Sequence, residues 1–139
     1  MLKRAAGLLV VALLAVAPWS LILSPARSAA SITGVWSGTV VQNIGASNYS
    51  VVMTIGDTTA ETDYPELKCG GKLTRVGAAG DYVFFIETIT RGRQDAGGGC
   101  IDGTVTVAPA NQNLAWGWFG SYGGKTHVAS SLLTRKSAR

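Results

Sequence analysis

After residue 30 the chain alternates apolar and polar positions in short runs, each closed by turn-forming residues, and no stretch keeps a helical period. Tyr49, Val51, Met53 and Ile55 alternate with Ser50, Val52, Thr54 and Gly56, the period-two signature of a half-buried strand. Similar runs are Val35 to Gln42, a more polar Thr58 to Tyr64 ended by Pro65, and Gly70 to Val76 before a predicted hairpin turn over Gly77 to Gly80. Further on come Tyr82 to Thr90, a run in which Ile101, Gly103, Val105 and Val107 share a face, then Leu114, Trp116 and Trp118, and finally Thr126 to Arg135. About eight short strands joined by tight turns predict an all-β fold, a small antiparallel up-and-down barrel, or failing that a sandwich. Closure also removes the edges that so many strands would otherwise expose.

The segment from Tyr64 to Gly103 organises the rest. It carries the only two cysteines, Cys69 and Cys100, with thirty residues between them. In an exported chain this predicts one structural disulfide rather than a redox pair, which needs closely spaced thiols. Between them, Tyr82, Phe84 and Ile86 occupy one face of a strand and Val83, Phe85 and Ile89 the other. A strand apolar on both faces is expected to be covered on both, or to meet a partner chain. Glu87 sits on the face of Phe85 and Ile89, so it is expected either to be exposed at an edge or to be buried with a partner, Arg75 or Arg91 supplying the charge.

The N-terminus changes the address and the charge. Lys3 and Arg4 precede an apolar stretch from Ala5 to Leu23, and Ser28-Ala29-Ala30 offers small residues for cleavage. Residues 1–30 therefore read as a signal peptide and 31–139 as a single barrel domain, secreted or periplasmic, with no membrane segment after cleavage. The whole chain carries +4, but Lys3, Arg4 and Arg27 leave with the leader, and nine basic against eight acidic residues leave +1. Without a clustered basic face a nucleic-acid partner is not expected.

Little in the chain suggests chemistry. His127 is the single histidine, too isolated for a metal or a nucleophile–base pair, so no catalysis, metal or cofactor is implied. The candidate ligand-binding side chains are Glu87, Trp116, Trp118 and Tyr64: a carboxylate on an apolar face, and aromatics able to line a pocket. At least one of Trp116 and Trp118 is expected to be core.

Two resemblances sharpen the expectation. Gly34-Val35-Trp36 in the first strand with Arg135 in the last resembles the calycins (lipocalins, fatty-acid-binding proteins, avidins). In that group a first-strand Trp packs across the barrel floor under a last-strand Arg. The avidin branch does not fit, because Ser37, Gly38 and Thr39 follow Trp36 without the polar residues that hold biotin's ureido ring. The second resemblance spans most of the mature chain: GVWSGTVVQ, YPELKCGGKL, YVFFIETITRG, CIDGTVTV and LAWGWFG. It resembles a small bacterial extracytoplasmic domain, found alone or behind the transmembrane helix of some actinobacterial serine/threonine kinases. Tyr64, Pro65, Leu67, Cys69, Gly71, Leu73, Glu87, Ile89, Gly92, Cys100 and Gly103 match its recurring elements, and the Gly-rich run before Cys100 departs from them. The resemblance implies a sensor-like or ligand-binding module.

The leading expectation is thus a non-enzymatic binding or sensory barrel whose partner is a small molecule, a glycan or an envelope component. It requires an interior pocket of roughly 300 Å3 or more. The alternative is an inhibitor of a protease or lysozyme, which requires a filled barrel and a projecting loop over Asp95 to Gly99.

Overall fold

The computed structural model describes residues 31–46 and 48–137; the leader expectation for residues 1–30 lies outside the described residues. Eight strands close into one antiparallel barrel in simple chain order: β1 (Gly34–Gln42), β2 (Tyr49–Ile55), β3 (Ala60–Tyr64), β4 (Cys69–Ala79), β5 (Tyr82–Arg91), β6 (Gly103–Ala110), β7 (Asn113–Tyr122) and β8 (Lys125–Arg135). β8 returns to β1, pairing Trp36 with Arg135 and Gln42 with Ala129, and this closes the wall. A single 3-10 turn, Gln94–Ala96, lies between β5 and β6.

Period-two patterning explains the interior. Val40, Val51, Met53, Val105, Val107 and Leu133 point inward and are fully buried, while their neighbours along each strand face out. Because the strands run up and down, the β1–β2, β3–β4, β5–β6 and β7–β8 connections gather at one end, here termed the upper end. The β2–β3, β4–β5 and β6–β7 turns gather at the other.

At the lower end the first and last strands are tied together. The Arg135 guanidinium lies 4.2 Å above the Trp36 ring, as the calycin resemblance implies. It donates to the carbonyls of Thr33 at 2.6 Å and Ser31 at 2.9 Å, and the Trp36 indole donates to Ile32 O at 2.7 Å. The disulfide joins Cys69, at the top of β4, to Cys100 in the β5–β6 connection, with Cα atoms 6.2 Å apart.

Two sequence expectations change. Gly77, Ala78 and Ala79 belong to β4 and not to a turn: the hairpin turns at Gly80 and Asp81, and an extra residue at Val76 bulges the strand instead. The outer face of β5 is also uncovered in this chain, since Tyr82 and Ile86 are exposed while Val83, Phe85, Glu87 and Ile89 face the interior. A closed barrel has only one interior, so within one chain the second apolar face of β5 lies outside, which leaves a partner chain as the cover expected for it.

Candidate functional site

The upper half of the barrel encloses a cavity of about 250 Å3. Its walls come from Tyr49 on β2, Tyr64 on β3, Glu87 and Ile89 on β5, Trp116 and Trp118 on β7, and His127 on β8. The upper connections complete it with Ile44 to Ala46, Leu67, Gln94, and Gly99 to Ile101. All four candidate binding residues read from the sequence, Tyr64, Glu87, Trp116 and Trp118, therefore line one space. A smaller cavity of about 190 Å3, beside Trp36 and Arg135 at the lower end, shares no lining residue with it.

Glu87 stands at the centre of the polar chemistry and is 1% exposed. Neither expected arginine meets it. Arg91 pairs with Asp63 above the rim, and Arg75 is exposed. Neutral donors hold the carboxylate instead: the Thr62 hydroxyl and the Tyr64 hydroxyl (2.9 Å) donate to Oε1, and the Trp118 indole donates to Oε2 at 2.6 Å. Burial pushes the carboxyl pKa up, the three donors pull against it, and the nearby Asp102 charge adds to the rise. The effect is reciprocal. Burial and the Glu87 charge push the Tyr49 phenol up to about 12, and burial first, then Glu87, pushes Tyr64 well above the ordinary 10.0.

Tyr49 and Tyr64 pack edge to face with centroids 6.0 Å apart, and the Tyr49 hydroxyl donates to Gln42 Oε1 at 2.7 Å. Tyr49, Thr62 and Gln42 belong to the site but escaped the sequence reading. Tyr49 heads the clearest alternating face in the chain, and Thr62 shares the parity of Tyr64, so both were accessible from strand periodicity alone.

Trp118 is held by what its neighbours lack. A Cβ added at Gly103 would lie 2.5 Å from its ring, and one added at Gly120 would lie 2.7 Å from it. The two bare backbones form a slot that aims the indole N–H at Glu87. Trp116, two residues earlier on the same face, is 3% exposed and packed into the core as expected of one of the pair. Its Nε1 is buried and has no hydrogen-bond partner. Such a donor is uncommon, because a buried N–H left unpaired costs about 1–3 kcal/mol.

The mouth is braced. Arg93 pairs with Asp95 at 3.1 Å and with Asp102 at 2.7 Å, and Asp102 Oδ1 accepts the Ile89 N–H at 2.7 Å. Burial alone would raise the Asp102 carboxyl, but the Ile89 N–H and the Arg93 guanidinium outweigh it and hold the pKa below the ordinary value. The Asp95–Gly99 stretch is tied back by Gln94 N–H to Cys100 O (2.7 Å) and Gly98 N–H to Arg93 O (2.7 Å). The ties lie within the connection, and Asp95, Ala96, Gly97 and Gly99 are exposed.

The chain matches no protein-family model, no curated protein and no solved structure. The closed eight-stranded antiparallel barrel, with its Trp36–Arg135 floor, is consistent with a calycin-like fold. Its disulfide fits an oxidising, extracytoplasmic environment. His127, read from the sequence as isolated, lines the cavity. Among the described residues no group of three or more His, Cys, Asp or Glu side chains is placed to hold a metal ion.

Proposed function

We propose that this protein is a secreted, non-enzymatic binding barrel that takes a compact small molecule into its upper cavity. The observation that carries the reading is the upper cavity itself, about 250 Å3 walled by Tyr49, Tyr64, Trp116 and Trp118 with the Glu87 carboxyl among them. The aromatic and aliphatic wall supplies contact area, and a few fixed polar groups supply orientation, which is the usual make-up of a ligand pocket. The volume of about 250 Å3 lies just under the roughly 300 Å3 at which such pockets begin, so the ligand is small.

The likeness of the Tyr64-to-Gly103 segment to an extracytoplasmic sensor-type module supports the same reading. The inhibitor alternative asks for a filled interior and a projecting Asp95–Gly99 loop, and the cavity weighs against the first of these. Catalysis has little to draw on, since Glu87 is already engaged by three donors.

Thermal-shift and tryptophan-fluorescence titrations of the mature protein against compact aromatic, glycan-derived and lipid-derived molecules test the proposal. A saturable rise in melting temperature that scales with ligand concentration is expected. Trp116→Leu should weaken the same ligand by taking an aromatic ring from the cavity wall. Silence across the set would remove the binding reading, and wild-type affinity in the variant would remove the role given to the ring.

A further inference from the structure

We propose that the upper cavity selects a small organic ammonium, a protonated or methylated amine on a compact aromatic or aliphatic body, with Glu87 as its counter-ion. This rests on the binding reading above and adds the chemical class. Glu87 is the only carboxylate among the cavity-lining residues, and no lysine or arginine lines the cavity. The three salt bridges among the described residues engage Asp63, Asp95 and Asp102, and leave Glu87 without a cation.

The geometry leaves a place for one. An ionised carboxylate offers about four acceptor positions, two on each oxygen. Thr62 and Tyr64 fill those on Oε1, and Trp118 fills one on Oε2. The remaining position on Oε2 suits an ammonium N–H. The rings of Tyr49, Tyr64, Trp116 and Trp118 line the same cavity, and an aromatic ring attracts a cation lying over its face. Burial, which acts against the charged form of Glu87, is offset when a cation arrives beside it.

Other classes fit less well. An anion meets the Glu87 charge with no lysine or arginine on the cavity wall to receive it. A hard metal ion takes about six to eight oxygen ligands, and no cluster of candidate ligands surrounds Glu87. A neutral molecule leaves the carboxylate without a counter-ion.

Three probes of matched size decide the matter: 2-phenylethylamine, 2-phenylethanol and phenylacetate. Each is titrated into the disulfide-intact protein at neutral pH, with binding read by calorimetry and tryptophan fluorescence. The amine should bind about tenfold or more tighter than the alcohol, the advantage expected of a hydrogen bond to a charged group, and phenylacetate weakest. Glu87→Gln should abolish the amine preference while leaving alcohol binding in place, with circular dichroism confirming the fold. Should that variant not fold, the wild-type ranking still decides. Equal binding of amine and alcohol, or tightest binding of phenylacetate, overturns the ammonium assignment and leaves the binding reading intact. No binding by any of the three overturns both for a ligand of this size.

Discussion

The Trp118 indole donates to Glu87 Oε2 at 2.6 Å, although the two residues lie 31 positions apart on strands that do not pair with each other. β6 stands between them, and it contributes Gly103, paired with Glu87 on one side and packed against the Trp118 ring on the other. One missing side chain therefore allows a carboxylate and an indole to meet inside the wall.

Gly103→Ala should break this arrangement. The new methyl group would lie 2.5 Å from the indole, so the ring must leave its slot. Overpacking of this kind costs about 1–3 kcal/mol. Chemical denaturation should show that loss, and the Trp118 indole N–H resonance should shift as it leaves Glu87.

Glu87 sets one arm of the pH dependence. Its folded pKa lies above the ordinary 4.5, so its contribution to stability is fully present below pH 4.5 and is lost as the pH rises through the folded value. The groups facing it are Tyr49, Thr62, Tyr64, Trp118 and Asp102, with His127 elsewhere on the cavity wall. Glu87→Gln suits the same surroundings, because its amide oxygen accepts from Trp118 while its NH2 donates to the Thr62 and Tyr64 hydroxyls. The unfolding free energy of wild type should fall over the window above pH 4.5, and that of Glu87→Gln should not. Equal slopes would falsify the placement of a buried, destabilised charge.

Asp102 acts in the opposite sense. Its folded pKa lies below the ordinary 3.8, so its contribution is present above that value and is lost as the pH falls through the folded one. Asp102→Asn should remove this acid sensitivity and loosen the β5–β6 connection. Hydrogen exchange at Ile89, Gln94 and Cys100 should speed up in the variant, while β2 amides should not change.

The disulfide should matter to the whole domain. Closing a loop with a separation of 31 residues stabilises by about 3–4 kcal/mol in the chain-entropy description. Small domains total about 5–15 kcal/mol, so Cys69→Ser with Cys100→Ser should remove a large share and lower the urea midpoint accordingly.

Strand number, order of faces and the sulfur bridge were legible because alternation is local: Tyr49, Val51, Met53 and Ile55 declare their side of the sheet without reference to anything else. The environment of Glu87 was not. Charge complementarity within the sequence pointed to Arg75 and Arg91, whereas the donors come from Thr62, Tyr64 and Trp118 on strands β3 and β7, which barrel closure brings around β5. The unpartnered Trp116 N–H was beyond reach for the same reason, since an absence of partners depends on the packing of the whole interior. Gly77 to Ala79 read as a turn because small residues punctuate chains, yet here they extend a bulged strand.

The stacked guanidinium and indole at the base of the barrel also bear on traffic. Arg135 ties residues 31 and 33 across the bottom while covering Trp36, and the hollow beside them shares no lining residue with the upper cavity. On the proposed reading a small molecule beside Glu87 would come and go past the upper connections, where Ile44 to Ala46, Leu67, Gln94 and Gly99 to Ile101 line the cavity. Stiffening those connections is then expected to slow arrival and departure together.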